Sequence, residues 1–260
     1  MTLEALLKKS ELALFEKCKP ISKNYRTIIL TTYVIRSRLL LNGIMSLVKA
    51  EIWTETAPLL HSLFEIRARS MVLCSPYGEF ACDLLRWFEE LQKRLHYLQL
   101  SHLDQFSNHQ GALLSQINSQ EGKKLITEWF AQKPKPHTTS EEWLSHWYSW
   151  NLQRLFIEIQ KNLIESPRIK KEMATLLEFA LENEPSATLA GVKRYALIDE
   201  EFNAVTFLSE GESKWKEGPV SLSTAAILDM LSEISDTFEL SLEKEIETYR
   251  KKMLSDFHLS

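Results

Sequence analysis

Glycine and proline are scarce, with 7 and 8 residues in a chain of 260. So few turn-formers argue against the many short strands of a sandwich or barrel. Cysteine is rarer still. Cys18, Cys74 and Cys82 are odd in number and show no paired metal-ligand spacing, which favours reduced thiols over a disulfide framework. Positive charge is not in excess: 31 Lys and Arg stand against 35 Asp and Glu, a net charge of -4. No global field therefore draws the chain to a phosphate backbone, and nucleic acid is not favoured as a partner. The chain has no Gly-x-Ser-x-Gly elbow and no glycine loop to cradle phosphate. Long uninterrupted apolar runs are missing too. The N-terminal MTLEALLKKSELALFEK carries charges throughout and does not read as a signal peptide. The most apolar long segment, Ile28 to Val48, contains Arg36, Arg38 and Asn42, which are costly in lipid. A soluble cytoplasmic protein with no membrane partner is the expectation.

What is present is helical periodicity. The chain is 44% hydrophobic, and its 7 Trp and 12 Phe supply large core side chains. That suits a single helical domain over residues 1–260, with a candidate hinge at 133–138. The stretch Glu51 to Ser75 organises the rest. Leu59, Leu60, Leu63, Phe64, Ile66, Ala68, Met71 and Val72 cover most of a helix circumference. His61, Glu65 and Arg69 form a narrow polar ridge, while Arg67 lies inside the apolar arc and needs a partner.

In chain order, Leu3 to Cys18 reads as an amphipathic helix with Leu3, Leu6, Leu7, Leu14 and Phe15 on its apolar side, closed by Pro20. Tyr25 to Ala50 is a long helix, and the roughly 200° between Arg36 and Arg38 turns at least one of them toward protein. Ser75 and Pro76 cap a new helix from Tyr77 to Phe106, which Asn108 to Gly111 breaks. The long helices Tyr25–Ala50, Thr54–Ser75 and Tyr77–Phe106 would form the main bundle. A further helical piece runs to Ala131. Lys133-Pro134-Lys135-Pro136-His137 excludes helix and reads as a surface loop in preference to a hinge. Thr139 and Glu142 fit a capping box opening an aromatic helix to Glu165. Ser166 and Pro167 start another, to Glu184. Ser186 to Pro219 is irregular, with short strands or loop at 195–198 and 205–208. One last helix, Ser221 to Leu254, has Ile227, Leu228, Leu231, Ile234, Phe238 and Leu242 on its apolar side. The fold class is all-α: a multi-helix bundle of about eight helices with an irregular segment near 186–220.

From Leu41 to Leu73, LNGIMSLVKAEIWTETAPLLHSLFEIRARSMVL resembles a bacterial helical family known as domain of unknown function number five-six-seven-seven. Ser62, Leu63, Phe64 and Glu65 match its Arg-Ser-Leu-Phe-Glu type core, with His61 where the family usually has Arg. The family's later Ser-then-His signature would fall near Ser186, where the chain has no His. The resemblance implies an all-helical bacterial protein and transfers no reaction.

Chemistry has few candidates. His61 with Glu65 and Glu142 with His146 are each spaced i, i+4, but known di-metal bundles use Glu-x-x-His with further Glu residues, so structural contacts are the plainer reading and no metal or cofactor is assigned. Helical ribonucleases of the HEPN type place four to six residues between Arg and His; Arg94 to His102 and Arg250 to His258 each have seven, and miss that window. Trp143, Trp147, Tyr148 and Trp150 could stack on a ligand, with packing the plainer reading. That leaves His61, Glu65, Arg67 and Arg69. They either neutralise one another between helices or line a polar pocket for an anionic ligand. The reading is a non-enzymatic protein-interaction or ligand-binding module, with a protein partner or a second copy bound through an N-terminal or C-terminal helix. The alternatives are a HEPN-like defence ribonuclease and a helical metalloenzyme.

Overall fold

The computed structural model describes residues 2–18, 25–53, 55–100, 119–165, 196–199, 204–207 and 218–256, together with Pro167, Lys170, Lys171 and Ala174. Among these residues are eight α-helices, one 3-10 helix and a pair of four-residue strands. The described residues are all-α apart from that hairpin. It forms two compact units, one of residues 1–76 with 151–260 and one of residues 77–150. Lys133 to His137 is a loop inside the second unit, away from either junction.

The first unit begins with α1 (Leu3–Lys17), where the Thr2 hydroxyl accepts from the Ala5 N–H at 3.2 Å. Leu3, Leu6, Leu7 and Leu14 are buried, whereas Phe15 is exposed. The spacing had set Phe15 on the inner side. After it come α2 (Tyr25–Lys49) and α3 (Thr56–Cys74). The chain leaves α2 through Glu51 in the left-handed region, φ 61°, with the Ile52 N–H on the Leu47 carbonyl at 2.9 Å and the Glu51 N–H on Val48 at 3.1 Å. That pattern closes a helix C-terminus, ordinarily with glycine. Helix α3 is the centre: none of its residues is exposed. It is surrounded by α2, by α6 (Leu152–Asn162) and by α7 (Gly218–Phe238).

Helix α7 takes the central place that length alone assigns to the helix after Pro76. It is apolar along most of its length, and its buried Ser223, Ala226 and Ser235 are small enough to let helices approach closely. The expected single helix from Ser221 to Leu254 is two. Helix α7 ends at Phe238, and α8 (Glu243–Asp256) follows a turn with Glu239 at φ 51° and Ser241 at φ 55°. Ser235 ties this turn down: its hydroxyl donates to Glu243 at 3.0 Å and accepts from the Leu242 N–H at 3.2 Å. The irregular stretch holds β1 (Ala196–Asp199) antiparallel to β2 (Ala204–Phe207), with Ala196 opposite Phe207 and Asp199 opposite Ala204. The expected helix from Ser166 to Glu184 falls almost wholly outside the described residues.

The second unit contains α4 (Gly78–Leu100), α5 (Gln120–Ala131) and a 3-10 helix (Thr139–Ser149) packed on α4. Ser75 is not the N-cap of α4. Its hydroxyl turns back to the Val72 carbonyl at 2.7 Å and closes α3 instead. The expected break at Asn108 to Gly111 lies outside the described residues. The expected α-helix from Thr139 to Glu165 is a tight 3-10 segment that ends at an extended Trp150, followed by α6. Its capping group sits one position earlier than expected: the Glu141 carboxylate accepts from the backbone N–H groups of His137 and Thr138, the latter at 3.2 Å. The aromatic side chains explain the change, because tertiary packing of large rings outweighs local propensity. Trp147 is fully buried, and its Nε1 donates to the Ala81 carbonyl at 3.0 Å.

Candidate functional site

The four polar residues of α3 divide between two partners. Glu65 and Arg69 neutralise each other along one ridge, with the Arg69 Nε 2.9 Å from Glu65. His61 is half-buried at the head of that ridge. Arg67 lies roughly 200° around the helix from either neighbour and makes a bidentate pair with Glu233 of α7, at 2.5 and 2.7 Å. The Arg67 side chain is 8% exposed and that of Glu233 31%. Burial works against the Arg67 charge, but Glu233 more than offsets it and raises the guanidinium above its ordinary value. Burial pushes the Glu233 carboxyl up, against the pull of Arg67. Beside them, burial pushes the Cys74 thiol to about 11, so this cysteine is no nucleophile at neutral pH. The structure therefore divides these residues between two ion pairs, Glu65 with Arg69 and Arg67 with Glu233. Sequence reasoning asked for a partner for Arg67; Glu233, 166 residues away, supplies it.

The same logic accounts for three further arginines. Arg38 pairs with Glu11 of α1 at 2.7 Å, and Arg26 donates to the Leu73 carbonyl at 2.5 Å, capping the end of α3. Arg250 donates to Asp229 at 2.9 Å. The Arg-to-His pairs considered for ribonuclease chemistry cannot be completed here, since His102 and His258 lie outside the described residues. Arg94 instead lies over the Trp129 ring at 3.9 Å. Glu142 and His146 no longer share a ridge, because a 3-10 helix turns about 120° per residue and the backbone departs from helix at His146. Among the described residues, no three His, Cys, Asp or Glu side chains converge as a metal would need.

Two features escaped the reading of motifs. The first is the outer face of α2. Ile28, Thr32, Ile35, Leu39, Asn42 and Ser46 follow one another at alternating intervals of four and three, and Ile35 and Leu39 are 38% and 59% exposed. Thr32, Asn42 and Ser46 are exposed as well, and Ile28 is half-buried. Among the described residues, α2 is the one helix long and apolar enough to cross a membrane, with a mean hydropathy of 1.3 over its best window and only 28% of that window buried.

The second is a cluster of rings in the second unit. Trp87 meets Phe130 edge-on at 5.5 Å and Tyr148 at 6.1 Å, and Phe88 stacks on Tyr148 at 4.5 Å. Trp143 stacks on Trp150 at 5.8 Å, which makes these aromatics mainly core, as packing requires. Into this cluster reaches Lys133, with its ammonium 5.7 Å from the Trp87 ring centre and 5.9 Å from that of Tyr148. It also lies 3.4 and 3.5 Å from the two ring nitrogens of His146. Burial lowers the Lys133 pKa; burial and the Lys133 charge lower that of His146. Comparisons with protein-family models, curated proteins and solved structures returned no match to this chain.

Proposed function

We propose that this chain is a non-enzymatic interaction protein that pairs with a second copy of itself through the outer face of α2. The observation that carries this reading is the spacing of Ile28, Thr32, Ile35, Leu39, Asn42 and Ser46. Alternating steps of three and four average 3.5 residues, the repeat that keeps one seam facing a partner helix. A core-facing helix needs no such stripe on its solvent side, and here the inner side is already used by α1, α3 and α7. The seam runs about 27 Å at 1.5 Å per residue.

A second copy is the occupant that the seam suits. The six positions carry no charge, so a two-fold axis sets no like charges against each other. Of the two arginines that flank the seam, Arg38 is neutralised within its own chain by Glu11 and Arg36 is exposed to solvent. Of the seam's three polar positions, Thr32 and Ser46 turn their hydroxyls back to the Ile28 and Asn42 carbonyls, which leaves Asn42 as the kind of polar group that fixes register and the number of strands. A partner seated there also removes from water Ile35 and Leu39, which are exposed in the single chain.

The test is the molar mass of the full chain by light scattering across a concentration series. Wild type is expected to be a dimer, and Leu39→Glu and Ile35→Glu are expected to be monomers with unchanged helicity. A monomeric wild type at every accessible concentration overturns the reading. So does a monomer that floats with phospholipid vesicles, which would assign the face to a membrane surface instead.

A further inference from the structure

We propose that Lys133 and His146 form a binding site for an oxyanion of the sulfate or phosphate kind, in the second unit and independent of the α2 seam. Among the described residues no carboxylate lies within 4.0 Å of the Lys133 ammonium, whose recorded neighbours are the His146, Trp87 and Tyr148 rings. The acidic side chains of this unit that are seen paired are engaged elsewhere: Asp83 with Arg86, Glu90 with Lys93, Glu128 with Lys124, and Glu141 with backbone N–H groups.

Ring faces hold an ammonium in place but accept its hydrogens poorly. The nearly equal distances to the two His146 nitrogens leave it against the imidazole without one short bond to either. An ammonium has three donors, so N–H capacity remains for an acceptor from solution. His146 is exposed, and a neutral imidazole beside a cation takes up a proton readily only when negative charge arrives. An oxyanion would supply it. Binding then charges His146, and two donors converge on one ligand.

The groups that face this pair are identifiable. Trp87 comes from α4, Phe130 from the end of α5, Lys133 from the loop, and Tyr148 from the same 3-10 helix as His146; none of them is acidic. Phe130, 49% exposed at the rim, offers a flat surface on which an anion carried by a ring would rest. The donors therefore suit either a free inorganic oxyanion or one attached to an aromatic group.

The experiment is a pH titration of the histidine ring protons of the full chain by NMR, with sulfate, phenyl sulfate or chloride at matched ionic strength. Sulfate keeps its charge through this range, so any change belongs to the protein. Sulfate is expected to raise the His146 pKa where chloride does not, with binding that tightens as the pH falls. Lys133→Met is expected to abolish the effect, Lys133→Arg to retain it, and both to keep the circular dichroism of the folded chain. Affinity about tenfold higher for phenyl sulfate assigns the ligand to an anion on a ring; equal affinity assigns it to a free oxyanion. An unmoved His146, or the same shift in Lys133→Met, overturns the proposal.

Discussion

Arg67 on α3 holds Glu233 on α7 through both of its terminal nitrogens, at 2.5 and 2.7 Å, and so joins the centre of the first unit to a helix 166 residues later. A buried pair of this kind contributes little when compared with two apolar residues, but leaving one partner alone is costly. Arg67→Ala and Glu233→Ala are each expected to lower stability by about 3–5 kcal/mol. Arg67→Met combined with Glu233→Leu is expected to recover most of that loss. Urea unfolding of the three variants and the wild type, followed by circular dichroism, measures the two losses and the recovery.

Glu51 closes α2 in a conformation that an L side chain adopts at a cost, φ 61°, and its side chain is exposed. Glu51→Gly removes that strain and keeps the closing hydrogen bonds. The expected gain is about 0.5–1 kcal/mol, the left-handed cost less the added freedom of glycine when unfolded. Glu51→Val is expected to lose stability, because branching at Cβ makes the same backbone worse. Thermal unfolding distinguishes the two directions.

Trp147 fills the second unit and satisfies its own N–H on the Ala81 carbonyl at 3.0 Å. Trp147→Phe is expected to cost about 1–3 kcal/mol through lost volume and a lost bond. Trp147→Ala should cost about 3–5 kcal/mol. The near-ultraviolet dichroism of the remaining tryptophans reports the loosening.

His146 has a folded pKa below its ordinary 6.5, from burial and from the Lys133 charge. A depressed value means that the unfolded chain takes up the proton first. The contribution to stability is present above pH 6.5 and is lost as the pH falls toward the folded pKa. Wild type is therefore expected to weaken below pH 6.5 more steeply than His146→Gln, which cannot gain that proton. Denaturant melts at a series of pH values measure the difference between the two slopes.

Much of the helical framework could be read from periodicity. The ends of α1, α2 and α3 fall close to where the apolar spacing puts them, and α3 is as enclosed as its wide apolar arc demands. The misses have local causes. Asn151 caps α6 by accepting from the Arg154 N–H at 2.9 Å, a start signal that the run of aromatics before it masked. The turn between α7 and α8 has neither glycine nor proline; a buried serine sets it instead, through contacts that periodicity cannot show. The need of Arg67 for a partner was legible but not the partner, because Glu233 reads as one more surface carboxylate until α7 is laid against α3. Lys133 was hidden for another reason. It sits among prolines in a stretch that looks like loop, and only the fold carries it to rings from α4 and the 3-10 helix.

The first unit is interrupted in sequence by the whole of the second, 77–150, and that interruption sets an order of events during synthesis. A ribosome adding about 5–20 residues each second finishes the inserted segment well before α7 leaves the exit tunnel. The inserted segment has its own aromatic centre and can settle while translation continues. The apolar flanks of α3 cannot, and Arg67 stays without its carboxylate for roughly ten to thirty seconds at that pace. During that interval the side of α3 that α7 covers stays open to water, and truncation before residue 218 is expected to leave it so permanently.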